Sequence, residues 1–312
     1  MDNSTHKIAI VGAGLIGKSW ALVFARSGCS VSLFDADSAV LKSLPQQLSA
    51  LAGSMRSGVS DTERNEIISR ISLTSSLAET VSNATYVQEC GPELLEFKRE
   101  VFEQLDAHAP ATCILASSTS ALVASGFCEG LACRDRVLVA HPVNPPHLVP
   151  LVELCASPWT RPDVVDQVYE LMSVVGQTPI RVNKEIDGFI LNRLQAALLN
   201  EAMRLVEGGY VSPQDLDKTV SDGLGLRWSF MGPFETIDLN APQGVCDYVS
   251  RYSPFFKRIV ESQSTTPEWG GDSLDAVSSY CRSALDLDAI AERSQWRDRR
   301  LAALLEHRKA QK

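Results

Sequence analysis

The feature that most constrains the fold is Gly12-Ala13-Gly14-Leu15-Ile16-Gly17, which follows the apolar run Lys7–Val11 and opens the apolar stretch Ile16–Arg26. Glycines at this spacing are common in turns. A turn that leaves a β-branched run and enters a helical pattern is more specific, because it makes a strand–loop–helix unit. Gly12 permits the tight turn, Gly14 lets a pyrophosphate approach the backbone, and Gly17 lets the helix lie close on the strand. Leu15 and Ile16 complete the loop, and the free N–H groups of the helix start face the phosphates. A second strand, Ser30–Phe34, ends in Asp35, about 20 residues after the loop, where a carboxylate accepts from both ribose hydroxyls. Asp35 and the nearby Asp37 would repel a 2′-phosphate, which predicts NAD rather than NADP.

The alternation continues. Strands are expected at Arg70–Leu73, Thr85–Gln88, Cys113–Ala116, Val137–Ala140, Leu151–Leu154 and Pro179–Val182, with helical patterns such as Leu94–Ala107 between them. This predicts an α/β fold with an N-terminal, Rossmann-type, mainly parallel sheet. From about Asp187 the texture changes: Phe189, Leu194, Leu198, Met203 and Val206 recur at three-to-four spacing, Gly208-Gly209 stops that helix, and Ser212-Pro213 starts the next. Two domains are therefore expected, residues 1–184 for the dinucleotide and an all-helical C-terminal domain over 185–312. Ser262–Gly271 reads as a polar loop and Glu292–Lys312 as an amphipathic terminal helix.

Composition narrows the class. Of 312 residues 45% are hydrophobic and 21% charged, which excludes disorder as the main state. A formal net charge of −9 argues against nucleic-acid or anionic-membrane partners. No apolar run is long enough to cross a bilayer, and the polar Met1–Lys7 segment does not resemble a signal peptide. Eight cysteines without a Cys-x-x-Cys pair predict free thiols, a cytoplasmic enzyme and no metal site.

A candidate for chemistry lies in Arg136-Val-Leu-Val-Ala-His141-Pro-Val-Asn144-Pro-Pro-His147, followed by Leu151-Val-Glu153. His141 ends an apolar strand, and in open α/β sheets ligands sit at strand carboxyl ends. An imidazole there can take a hydroxyl proton, and Glu153 on the next strand can fix its tautomer. Read alone, a strand-end histidine is more often a structural residue, and His147, between Pro146 and Leu148, is read as one.

Together the glycine loop, Ser117-Ser-Thr-Ser120, His141-Pro-Val-Asn144-Pro, Leu151-Val-Glu153 and Gly188-Phe-Ile-Leu-Asn192-Arg193 resemble the 3-hydroxyacyl-CoA dehydrogenase family in order and spacing. The resemblance covers nearly the whole chain. It implies that His141 is the catalytic base, Glu153 its orienting carboxylate, Ser120 the serine on the reacting hydroxyl, and Asn192 an asparagine that holds the substrate oxygen from the helical domain. It also implies that Asn144 lies near the cofactor carboxamide and that Glu93 and Lys98 line the nicotinamide-ribose side. Without it, Glu93 and Lys98 read as a solvated helix start. A homodimer paired through the helical domain is likewise implied.

Gly223-Leu-Gly-Leu-Arg227-Trp, Gly232-Pro-Phe-Glu-Thr and Gln295-Trp-Arg-Asp298 are similar to the branch of that family that oxidises the C3 hydroxyl of L-gulonate. A guanidinium makes two parallel hydrogen bonds to a carboxylate, so Arg227 is expected to anchor a free 3-hydroxy acid. A structural pairing of Arg227 with Glu235 or Asp222 is the competing reading. Alternatives for the whole chain are a 3-hydroxyacyl-CoA or carnitine dehydrogenase, with Trp228 and Phe230 suited to a quaternary ammonium. A non-catalytic structural protein on the same scaffold is the alternative of another class; Ser120, His141, Asn144, Glu153 and Asn192 are all present, which disfavours it.

Overall fold

The computed structural model describes residues 6–55, 58–263, 266–267 and 269–311. The first five residues of the polar N-terminus, and 264, 265 and 268 of the expected polar loop, lie outside them. Eight strands form one sheet in the order β3-β2-β1-β4-β5-β6-β7-β8. They are β1 (Lys7–Val11), β2 (Ser30–Phe34), β3 (Ile71–Thr74), β4 (Tyr86–Glu89), β5 (Ile114–Ser117), β6 (Val137–Pro142), β7 (Leu151–Ala156) and β8 (Thr178–Val182). All neighbours run parallel except β6 and β7, which pair antiparallel and set His141 opposite Glu153.

Helices cover both faces, so the strands alternate between two apolar layers instead of between core and water. Ile8 and Ile10 of β1 enter one layer, with Trp20, Leu22 and Phe24 of α1 (Leu15–Arg26), Leu44 and Leu48 of α2 (Ser38–Gly53), and Ile67 of α3 (Asp61–Ser69). Ala9 and Val11 enter the other. There they meet Val81 of α4 (Leu77–Val81), Val101, Phe102 and Leu105 of α5 (Leu95–His108), and Phe127 of α6 (Ser125–Cys128). The helix α7 (Pro162–Val174) adds Val164, Val168 and Met172 to the first layer. Helix starts are capped as their residues dictate: Asp37 Oδ1 accepts from Ala39 N, and Ser60 and Ser76 hydroxyls accept from Glu63 N and Glu79 N.

The chain forms two compact units, residues 1–192 with 296–312, and residues 193–295. Residues 296–312, expected within the helical domain, thus belong to the sheet unit; the terminal helix Ile290–Ala310 buries Ala302. The second unit is helical, with Gly244–Ser262 and Gly271–Ala284 its longest complete helices. Among its described residues only Thr236, Pro267 and Ser273 are buried. Among the described residues no helix is long and apolar enough to cross a membrane.

Candidate active site

The glycine loop has the geometry its residues require. Gly12 has a φ of +100°, and a Cβ there would lie 2.9 Å from the Cys90 carbonyl oxygen. A Cβ on Gly17 would lie 1.8 Å from the Gly12 carbonyl oxygen, so helix and strand approach too closely for any side chain. A Cβ on Gly14 would meet nothing within 4 Å, which leaves that face of the helix start accessible to a diphosphate. Asp35 stands at the end of β2. Its Oδ2 accepts from Ala13 N at 2.8 Å and its Oδ1 from Asp37 N at 2.9 Å. Each oxygen keeps a further lone pair for a ribose hydroxyl. Leu15, half exposed, and Ile16 form the first turn of α1 beside this cradle.

At the end of β6, His141 is buried and its Nδ1 lies 2.8 Å from Glu153 Oε2. A carboxylate oxygen only accepts, so Nδ1 carries the hydrogen and Nε2 presents a lone pair. Glu153, fully buried on β7, places its other oxygen on Ile190 N at 2.9 Å and Leu191 N at 3.0 Å. The segment that delivers those N–H groups turns at Phe189, whose φ of 49° is left-handed. That is a costly conformation for a bulky residue, held here by full burial of the ring beside the His141 imidazole at 5.4 Å. The carboxylate paired with His141 is thus fixed by two backbone donors at the start of the helix Leu191–Glu207.

Asn192, on that same first turn, donates from Nδ2 to the Ser120 carbonyl at 2.8 Å. It falls at the end of the sheet unit. The Ser120 N–H donates to Glu93 Oε2 at 3.1 Å, and Glu93 Oε1 accepts from the Thr119 hydroxyl. Burial works to raise the Glu93 carboxyl, but the bonds from Thr119 and Ser120 and the charge of Lys98 outweigh it, so its pKa lies below the ordinary carboxylate value. Ser120 is therefore held on both sides of its backbone. Asn144 is exposed at the mouth of the β6–β7 connection, before a cis peptide bond to Pro145.

Two expected residues stand differently from the rest. Lys98, expected beside Glu93 at the ribose, is buried and donates from Nζ to both oxygens of Glu89 at 2.8 Å and to the Gly91 carbonyl at 3.2 Å. Arg227 lies in the second unit and is exposed, and among the described residues no ion pair or hydrogen bond joins its guanidinium to Glu235 or Asp222. Glu89 is the residue that sequence reasoning missed. Its signal was a carboxylate ending an apolar strand, where only a buried partner makes the charge tolerable. His147 is structural as expected, buried with Nδ1 at 3.0 Å from the Ser19 hydroxyl.

A glycine cradle, a strand-end carboxylate and a carboxylate-braced histidine on one sheet define an NAD-dependent hydroxy-acid dehydrogenase. The chain belongs to the 3-hydroxyacyl-CoA dehydrogenase family: the family's NAD binding domain matches residues 7–186 and its C-terminal domain residues 188–270. Lambda-crystallin of Oryctolagus cuniculus is 44% identical over 308 residues, covering 95% of each chain. L-carnitine dehydrogenase of Streptomyces griseus is 34% identical, over 94% of this chain and 87% of its own. Among solved structures, an NAD+-dependent 5-formyl-3-hydroxy-2-methylpyridine 4-carboxylic acid 5-dehydrogenase superposes with a TM-score of 0.83 at 26% identity, covering 97% of this chain and 98% of that one.

Proposed function

We propose that the enzyme oxidises the C3 hydroxyl of a free 3-hydroxy acid, L-gulonate, to 3-dehydro-L-gulonate. The observation that carries this reading is the His141–Glu153 pair, with Nδ1 committed to a carboxylate that two backbone donors immobilise. Nε2 of His141 takes the hydroxyl proton, and Glu153 stabilises the imidazolium that results. Ser120 and Asn192 hold the substrate oxygen as negative charge builds on it. Bound NAD supplies the hydride acceptor; Gly12, Gly14, Leu15, Ile16, Gly17 and Asp35 hold it, with Glu93 and Asn144 beside its nicotinamide half. Lys98, bound to Glu89, acts on Glu93 through its charge. Arg227, free of the two neighbouring carboxylates, anchors the substrate carboxylate.

Parallel assays with L-gulonate, 3-hydroxybutyrate, carnitine and acetoacetyl-CoA, following NADH absorbance, test the substrate. Turnover of L-gulonate with the highest kcat/KM is expected. Preference for carnitine would shift the reading to the activity that the Streptomyces griseus relative's name carries, with Trp228 and Phe230 facing the ammonium; both are exposed. Preference for the thioester would remove the role of Arg227.

The working unit is a homodimer formed through the helical residues 193–295. Supporting this are Val245, Val249, Tyr252, Phe256 and Val260, which share one face of the helix Gly244–Ser262 and are all exposed. An apolar stripe of this length on a chain of net charge −9 is the signature of a covered surface. The cytoplasm is the compartment in which eight unpaired thiols persist.

A further inference from the structure

Glu89 has no part in the chemistry above, yet it is fully buried and accepts more hydrogen bonds than any carboxylate of the site. Its Oε1 takes the Gly91 N–H and Lys98 Nζ, and its Oε2 takes Lys98 Nζ at 2.8 Å and the Ser117 hydroxyl at 2.6 Å. A buried ion pair is a poor source of stability, because removing both charges from water costs several kcal/mol that their attraction scarcely offsets. Its directionality is what the fold gains.

The direction can be followed atom by atom. Ser117 has one hydroxyl hydrogen and gives it to Glu89, so its oxygen accepts from Thr119 N at 3.2 Å. Thr119 in turn gives its hydroxyl hydrogen to Glu93 Oε1, and its oxygen accepts from Leu122 N at 2.9 Å. Glu93 Oε2 then receives the Ser120 N–H at 3.1 Å. The Ser117 hydroxyl points the way it does because Glu89 can only accept, which leaves the Ser117 oxygen free for the Thr119 N–H, and the Thr119 hydroxyl is turned in the same sense by Glu93. Just past this same end of β4 the Gly91 N–H, held by Glu89, follows Cys90, whose carbonyl lies close to Gly12 of the dinucleotide loop.

We propose that Glu89, neutralised by Lys98, is a positioning residue that acts through Ser117 and Thr119 to set Ser120 at the reacting oxygen. This rests on the reading of Ser120 given under the proposed function. The test is the double variant Glu89→Gln/Lys98→Met. It removes both charges together, so no lone buried ion remains, and it leaves one acceptor oxygen where the Gly91 N–H and the Ser117 hydroxyl each use their own. Ser117→Ala cuts the same chain one link later without touching the ion pair.

Two readouts are taken at matched melting temperature. Amide hydrogen exchange in the segment 117–122 should speed up at least about tenfold in both variants, with protection of β1 and β6 kept. On whichever of the four substrates the unmodified enzyme turns over best, kcat should fall about 10- to 100-fold with KM for NAD little changed. The triple variant should lose no more than the double. Unchanged exchange in 117–122 would overturn the proposal whatever the substrate proves to be. A raised KM for NAD with kcat intact would overturn it too, and would assign Lys98 to the cofactor. Faster exchange with kcat unchanged would overturn the role of Ser120 at the oxygen and leave Glu89 a brace for the loop alone.

Discussion

The sheet unit and the helical unit use apolar residues in opposite ways. In the first, Trp20, Phe24, Tyr86 and Phe102 are entirely inside, packed in two layers on a sheet whose central strands contribute to both faces. In the second, Phe230, Phe234, Phe255 and Trp269 are all at least half exposed, and no apolar residue of 193–295 joins either core. A groove of about 620 Å³ runs among Ile237, Tyr248, Val249, Phe256 and Val260. Burying a large side chain stabilises by about 1.5–3 kcal/mol, a gain the first unit collects at each of these residues and the second largely leaves in water. One unit is packed around its sheet, and the other presents the apolar face that the proposed dimer would cover.

The sharpest way to separate the two roles is His141→Gln. It should lower kcat by roughly a thousandfold while leaving NAD binding and assembly alone, read by steady-state kinetics and by sedimentation. Full activity would dismiss the histidine as base. Next comes a pH effect confined to the sheet unit. Burial, opposed by Asp298 and reinforced by Arg26 and Arg297, holds the His147 imidazole down at about 4. A histidine that stays neutral when folded and protonates when unfolded gives stability that is complete above about pH 6.5 and is lost as pH falls toward 4. The loss should be about 3 kcal/mol, and His147→Gln should flatten that part of the profile in urea titrations.

A smaller effect probes the role proposed for Arg227. Arg227→Met should raise KM for the free acid roughly 30-fold with KM for NAD unchanged. An unchanged KM for the acid would return Arg227 to the surface. Smallest is Phe256→Ala, which should raise the dimer dissociation constant about tenfold and leave kcat of the residual dimer intact, measured by dilution and light scattering. If that variant stays as tightly paired as the parent, the apolar stripe has another purpose and the contrast between the units is wrongly drawn.

Much of the sheet unit was legible because its signals are local. The limits of β1 and β2 coincide with the apolar runs, and the glycines between them admit one reading. His141 and Glu153 could be located for the same reason, each lying on its own apolar strand, but the role expected of them came from the family resemblance. That they face each other at 2.8 Å depends on β7 turning antiparallel to β6, which no local pattern announces. Lys98 shows the limit most clearly. On a helical wheel it is a polar residue near a helix start, and only the folded chain brings Glu89 under it and removes water from both. The left-handed Phe189 was invisible because the aromatic side chain disfavours the conformation that tertiary packing imposes. In the helical unit the three-to-four periodicity was plain, but what lies against the apolar side is not written in the same chain.

Asp35 carries a lesson for anyone wishing to retool this enzyme for the phosphorylated dinucleotide. The obvious exchange, a small neutral residue for the aspartate, is meant to relieve repulsion, yet the same carboxylate ties down Ala13 inside the glycine turn. On the proposed reading of Asp35, cofactor choice and loop rigidity are joined in one side chain. An Asp35→Ser enzyme should grip NADH and NADPH alike more weakly in fluorescence titrations, and would regain neither until another acceptor reached Ala13.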